Sequence, residues 1–127
     1  MLLVGTDLIE VARVARSLKN PRFARRVFGR EEREELAKKG FSAQSAAVCF
    51  CAKEAFGKAM GTGLAGFGWQ EVQLLHRPTG QPYLLLTGKA AMLAGDAELA
   101  VSAAHTRDYA TVTVVGERKD LPRIQTC

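Results

Sequence analysis

The chain has 127 residues, enough to bury one hydrophobic core and too few for two. At 47% hydrophobic and 24% charged it has the composition of a soluble folded domain, which excludes wholesale disorder. No apolar stretch reaches the roughly 20 residues of a membrane span, and MLLVGTDLIEV has no basic residues before its apolar ones, so neither a span nor a signal peptide is expected and the cytoplasm is the expected location.

Residues 2–8 are short and apolar and predict a buried strand. Residues 10–18 place Val11, Val14, Ala15 and Leu18 at helical spacing. Asn20-Pro21 breaks that helix, and Pro21 opens a second one running to about Phe28. The net charge of +5 is concentrated here: Arg13, Arg16, Lys19, Arg22, Arg25, Arg26 and Arg30 follow one another with no acid between them. A one-signed face of this kind steers a polyanionic partner, and a merely solvated helical face is the alternative. Glu31-Glu32-Arg33-Glu34-Glu35 reverses the sign within a short helix over 30–39, which Gly40 ends. Ser42 then caps a long helix that runs to Met60 and stops at Gly61-Thr62-Gly63. Cys49 and Cys51, with Cys127, form no metal spacing and are expected to be small buried hydrophobes and a tail thiol in a reducing compartment.

Residues 72–76 and 83–87 predict two strands joined by the turn-rich 77–82. A short helix over 89–93 and strands over 98–102 and 109–116 follow. Helices first and strands later predict an α+β domain: a mostly antiparallel sheet with the long buried helix packed across it. Residues 1–117 make the single expected domain, and 118–127 an expected frayed tail.

The chemistry concentrates in AAVCFCAKEAFGKAMGTG, residues 46–63. This helix is apolar almost all round yet carries Lys53, Glu54 and Lys58. Glu54 and Lys58 continue the line of Ala46 and Phe50, an apolar stripe on which charge is costly unless paired or bound. A Glu54–Lys58 helix pair, contributing only about 0.2–0.5 kcal/mol, is one account; a bound ligand is the other. Gly57 permits close approach to the helix, and Gly61 and Gly63 flank Thr62 in a loop whose amides can meet anionic oxygens, or else form an ordinary helix end. A lysine, a carboxylate and a glycine loop together suggest a phosphate ligand with a hard metal ion. Mg²⁺ at a phosphate takes one or two carboxylates: Glu54 is one candidate, and Asp7 the best second, with a helix N-cap as Asp7's other possible role. His105, Thr106 and Arg107, in the expected turn between the last two strands, can donate to phosphate oxygens or serve the turn. His76 is expected to be structural.

Three segments in order then carry a resemblance: Gly5-Thr6-Asp7-Leu8-Ile9-Glu10, F-C-A-K-E-A-F-G-K-A-M-G-T-G over 50–63, and S-A-A-H-T-R-D-Y over 102–109. The chain resembles the holo-[acyl-carrier-protein] synthases, the short class of 4′-phosphopantetheinyl transferases, over residues 1 to about 117. The resemblance implies transfer of the 4′-phosphopantetheine arm of coenzyme A to a serine of apo acyl carrier protein, with release of adenosine 3′,5′-bisphosphate. It implies Asp7 and Glu54 as ligands of a Mg²⁺ at the coenzyme A diphosphate, and Lys58 as the cation neutralising that diphosphate. It places His105 and Thr106 near the adenosine 3′-phosphate and Arg13 at the acidic carrier protein, with Arg22, Phe23 and Arg26 beside it. It implies homotrimers with sites between neighbours. The chain departs from the family at Cys49, where an Arg is common, and at Ala104, where Ser or Thr is common.

Transfer of this kind needs positioning and charge neutralisation more than covalent catalysis, so a metal, a lysine and amides suffice. Glu54, or a water it orients at the metal, is the expected base for the serine proton. The alternative from another class is a small basic nucleic-acid-binding domain using the 13–30 face, which leaves Glu54 without a role. A Mg²⁺-dependent phosphohydrolase and a non-catalytic carrier-protein adaptor are further rivals.

Overall fold

The computed structural model describes residues 1–119. In chain order the elements are β1 (Leu2–Glu10), α1 (Val11–Ser17), α2 (Pro21–Val27), α3 (Arg30–Lys38), α4 (Ala43–Met60), a 3-10 turn (Trp69–Glu71), β2 (Val72–His76), β3 (Pro82–Leu86), α5 (Gly88–Ala94), β4 (Glu98–His105) and β5 (Tyr109–Glu117). The α+β class holds, with one refinement. The strands form two antiparallel sheets where one was expected: β1-β5-β4, and the separate hairpin β2-β3.

Local chemistry sets the helix ends. The Asn20 side chain accepts from the Arg22 N–H at 3.0 Å and Pro21 opens α2. Ser42 accepts from the Ser45 N–H at 3.1 Å to start α4, and Gly61, left-handed at φ 78°, ends it. β4 runs to His105, three residues past its expected end, so the reversal into β5 is only Thr106–Asp108 wide.

β1 alternates: Leu3, Gly5 and Ile9 are buried toward α4, while Leu2, Val4 and Leu8 face outward. β5 contributes Ala110, Val112 and Val114 to the same core, opposite Ile9, Asp7 and Gly5. The buried alanines of α4 (Ala46, Ala47, Ala52, Ala55, Ala59) let that helix lie close on both strands. Phe28 and Phe56 are the largest fully buried apolar side chains.

Arg118 is tied into the body: its N–H donates to the Met1 carbonyl at 2.9 Å and its guanidinium to the Leu93 carbonyl at 2.8 Å. Residues 120–127 of the expected tail, Cys127 among them, lie outside the described residues.

Candidate active site between the first strand and the long helix

Gly5 brings the site's two halves together. A side chain there would place Cβ 2.1 Å from the Ala55 carbonyl oxygen and 2.4 Å from the Ala59 nitrogen, so only glycine lets α4 rest directly on β1. Two residues further along the same face stands Asp7, its side chain 13% exposed. Asp7 lies inside β1, and the first helix begins at Val11 with Glu10 at its N-cap, so the N-cap role considered for Asp7 does not apply. Its backbone carbonyl is held twice, by the Thr111 hydroxyl at 2.8 Å and the Cys51 thiol at 3.2 Å.

Three α4 side chains meet this carboxylate. Lys58 Nζ donates to Asp7 Oδ1 at 3.0 Å, so Lys58 pairs across to the strand and not along the helix with Glu54. Cys51 Sγ is 3.8 Å from Asp7 Oδ2. Glu54 is half-buried; burial foremost, then the Asp7 charge and hydrogen bond, push its carboxyl above the ordinary value, against the pull of Arg13 and Lys58. The hydrogen bond to Asp7, with that carboxylate's charge, holds the Lys58 ammonium pKa up. Burial, joined by the Asp7 charge, drives the Cys51 thiol to about 12, so it stays a neutral donor.

The expected apolar stripe is corrected. Along Ala46, Phe50, Glu54 and Lys58 the helix climbs out of the core: Ala46 is buried, Phe50 and Glu54 are half-buried, and Lys58 is exposed. The fully buried charge is the neighbouring Lys53, which pairs with buried Glu32 at 2.7 Å. Cys51 was missed as a site neighbour, although Cys51, Glu54 and Lys58 share an i, i+3, i+7 face that could have shown it.

The glycine loop is corrected as well. The Gly61 N–H donates to the Lys58 carbonyl at 3.1 Å, and those of Thr62 and Gly63 to the Gly57 carbonyl, both at 3.0 Å. These amides are consumed in ending α4 and make no free anion cradle. The space at Gly57 is taken by the chain's own loop, since a Cβ there would sit 2.0 Å from the Gly63 carbonyl oxygen. Gly61, Thr62 and Gly63 thus stop the helix just past Lys58, leaving the ammonium at the rim.

His105 and Thr106 are not gathered with Asp7, Glu54 and Lys58 in one chain. Thr106 Oγ1 accepts from the Asp108 and Tyr109 N–H groups at 3.3 and 3.1 Å, closing the β4–β5 reversal. His105, exposed at the strand end, borders a cavity of about 160 Å³ with Glu35, Lys39, Ser45, Cys49 and His76. Ser45 and Cys49 stand across the α4 axis from Cys51 and Lys58, so this cavity lies on the other flank of the helix. His76 is structural as expected: its ring meets Glu35 at 2.9 Å and its N–H donates to the same carboxylate at 3.0 Å. Cys49 and Cys51 are free and buried.

The basic face is real. Arg13 and Arg16 on α1, Lys19 in the turn after it, and Arg22, Arg25 and Arg26 on α2 are exposed, and among the described residues none is in a salt bridge. Phe23 beside them packs on Phe28 and Phe50, ring centroids 5.9 and 6.2 Å away. Among the described residues no helix is long and apolar enough to cross a membrane.

Comparison with known proteins gives concordant results. A family model described as the 4′-phosphopantetheinyl transferase superfamily matches residues 3–114. The holo-[acyl-carrier-protein] synthase of Caldanaerobacter subterraneus subsp. tengcongensis is 42% identical over 123 residues, 91% of this chain and 97% of the relative. The ACPS–CoA complex of Chronobacterium ammoniagenes superposes with a TM-score of 0.81 at 30% identity, covering 94% of this chain and 99% of that one. The holo-[acyl-carrier-protein] synthase of Neisseria meningitidis gives a TM-score of 0.81 at 29% identity, covering 91% and 98% of the two chains.

Proposed function

Since the chain belongs to the 4′-phosphopantetheinyl transferase superfamily, we infer that it is a holo-[acyl-carrier-protein] synthase, and propose Asp7, Glu54 and Lys58 as its reaction centre. It transfers 4′-phosphopantetheine from coenzyme A to a serine of apo acyl carrier protein. The observation that carries the site is the convergence of Asp7, Glu54 and Lys58 from β1 and α4.

The pair fits Mg²⁺ on its donor chemistry. The Asp7 charge opposes ionisation of Glu54, and a divalent cation between the two carboxylates would relieve it. Among the described residues no three His, Cys, Asp or Glu side chains gather as a protein-only metal site. Two carboxylates are the usual protein share for Mg²⁺ at a phosphate. Bound there, Mg²⁺ would supply charge neutralisation at the coenzyme A diphosphate. Lys58, anchored by Asp7 yet 54% exposed, adds a cation at the rim where the diphosphate arrives. Glu54, or a water it orients, is the base assigned to the serine proton. Gly61, Thr62 and Gly63 shape the rim, while Arg13, Arg22, Phe23 and Arg26 receive the acidic carrier protein.

The site is completed by a second copy in a homotrimer, where His105 and Thr106 of a neighbour meet the adenosine 3′-phosphate. Two observations support this. His105 lies on the far flank of α4 from Glu54, and the outer sheet face exposes Leu2 (82%), Val4 and Leu8 (65% each), Tyr109 and Val115. Free buried thiols fit a reducing, cytoplasmic setting.

Incubation with coenzyme A, Mg²⁺ and apo carrier protein should add one phosphopantetheine mass to the carrier and release adenosine 3′,5′-bisphosphate. Consumption of coenzyme A without carrier would identify a phosphohydrolase. No consumption at all would leave an adaptor or a nucleic-acid-binding domain.

A further inference from the structure

Lys53 turns its ammonium away from the carboxylate pair. It donates to Glu32 Oε1 at 2.7 Å and to the Val72 carbonyl, and stands 5.6 Å over the Phe28 ring. Glu32, equally buried, accepts from the Gly29 N–H at 3.2 Å and, through its other oxygen, from the Leu74 N–H at 2.8 Å. The Glu32 N–H in turn donates to the Gln73 side chain at 2.8 Å. The ion pair therefore ties α4 to both α3 and β2. A buried ion pair contributes little net stability over an apolar pair of similar volume, so stability alone does not account for it.

Its place on α4 offers a reason. On the opposite flank Ala55 and Ala59 rest on Gly5. At about 100° per residue Lys53 and Ala55 lie about 160° apart around the helix, with Glu54 between them in sequence. Held from both flanks, α4 cannot turn about its axis. A turn of about 10° would carry a carboxylate roughly 6 Å from the axis by about 1 Å, and a misplacement of that size can cost about 10²-fold in rate. We propose that the Lys53–Glu32 pair is a positioning device for the transfer reaction, fixing the rotation of α4 so that the Glu54 carboxylate stays against Asp7. This rests on the reading of Asp7 and Glu54 as a cation-binding pair.

The test is the double substitution Glu32→Gln with Lys53→Met, which removes both charges together and so leaves neither one stranded. Mn²⁺ serves as the probe, its binding followed by electron paramagnetic resonance without substrates. Wild-type protein must bind Mn²⁺ and Glu54→Gln must not; failure of that control rejects the cation pair itself and not the clamp. The double variant should fold cooperatively but melt below wild type, since Gln cannot accept from both N–H groups and the Val72 carbonyl loses its donor. It should bind Mn²⁺ at least fivefold more weakly, and lose at least tenfold in kcat with carrier KM within twofold. Wild-type Mn²⁺ affinity and kcat in the folded double variant would overturn the proposal and leave the pair structural. Should that variant not fold, Glu32→Asp carries the test, since it keeps the charge but shortens its reach. A folded Glu32→Asp protein must then show the same loss of Mn²⁺ affinity, and unchanged affinity overturns the proposal equally.

Discussion

Glu54 sits where ionisation is opposed first by burial and then by the Asp7 charge. A carboxyl whose pKa rises on folding holds its proton more tightly folded than unfolded. Its effect on stability is therefore most favourable below the unfolded value and is lost as pH climbs through the folded one. In the ion-free protein at neutral pH, the Glu54 charge works against the fold. Glu54→Gln should accordingly melt at or above the wild-type temperature in calorimetry at pH 7, while losing about 100-fold or more in transfer rate. A melting point several degrees lower would show that the ionised group is a net stabilising partner of Lys58 or Arg13. Lys58 follows the same direction at higher pH, but here the fold favours the charged form: its pKa is raised by its bond to Asp7, so its contribution is present below the ordinary lysine value and lost above the folded one. Lys58→Met should lower the melting temperature at pH 7, with a deficit that shrinks as pH rises past the ordinary lysine value. A deficit constant with pH would mean the lysine stabilises by packing alone.

At the scale of elements, the contact of α4 with β1 decides whether the carboxylates meet. Gly5→Ala forces a Cβ into the Ala55 carbonyl and the Ala59 nitrogen, both backbone atoms with no rotamer to yield. Overpacking of this kind costs about 1–3 kcal/mol or more. Urea unfolding should register that loss, and cation affinity should fall with it; wild-type stability would mean that α4 slides without cost. The elements themselves were largely legible, because caps and breakers sit in the sequence: Asn20-Pro21, Ser42 and Gly61 each end or begin the helix expected there. The rotation of α4 was not. A helix with apolar residues almost all round gives no single face, so the stripe through Glu54 reads as buried when Glu54 is only half-buried beside Asp7, and Lys53 goes without a partner. That partner, Glu32, stands 21 residues earlier on another helix, beyond any local pattern. The glycines of 61–63 announced a tight turn but not the destination of its amides, which the helix end consumed. Asp7 and Glu54 were legible as a pair through the resemblance their motifs carry, which names side chains even where it cannot orient them.

For the whole molecule, the separation of Glu54 from His105 by the width of α4 sets a test of the proposed assembly. If one chain supplies Asp7, Glu54 and Lys58 and its neighbour supplies His105, a chain lacking Glu54 and a chain lacking His105 are each inactive for different reasons. Prepared separately, Glu54→Gln and His105→Ala should each fold and each fail in transfer. Mixed after dissociation and reassembly at equal amounts, they would form, in the proposed trimer, rings in which some interfaces draw Glu54 from one variant and His105 from the other. Random assembly makes about a quarter of the interfaces intact in this way, so transfer should recover to roughly that fraction of wild type. A site wholly within one chain would give no recovery at any mixing ratio. Leu8→Glu supplies the complementary arm, since it places a charge on the exposed sheet face while leaving the core untouched. It should yield folded monomers by light scattering, without transfer activity, and should abolish the rescue when built into both mixing partners. Rescue that survives Leu8→Glu would mean that the chains still assemble, and would locate the shared interface elsewhere than on β1 and β5.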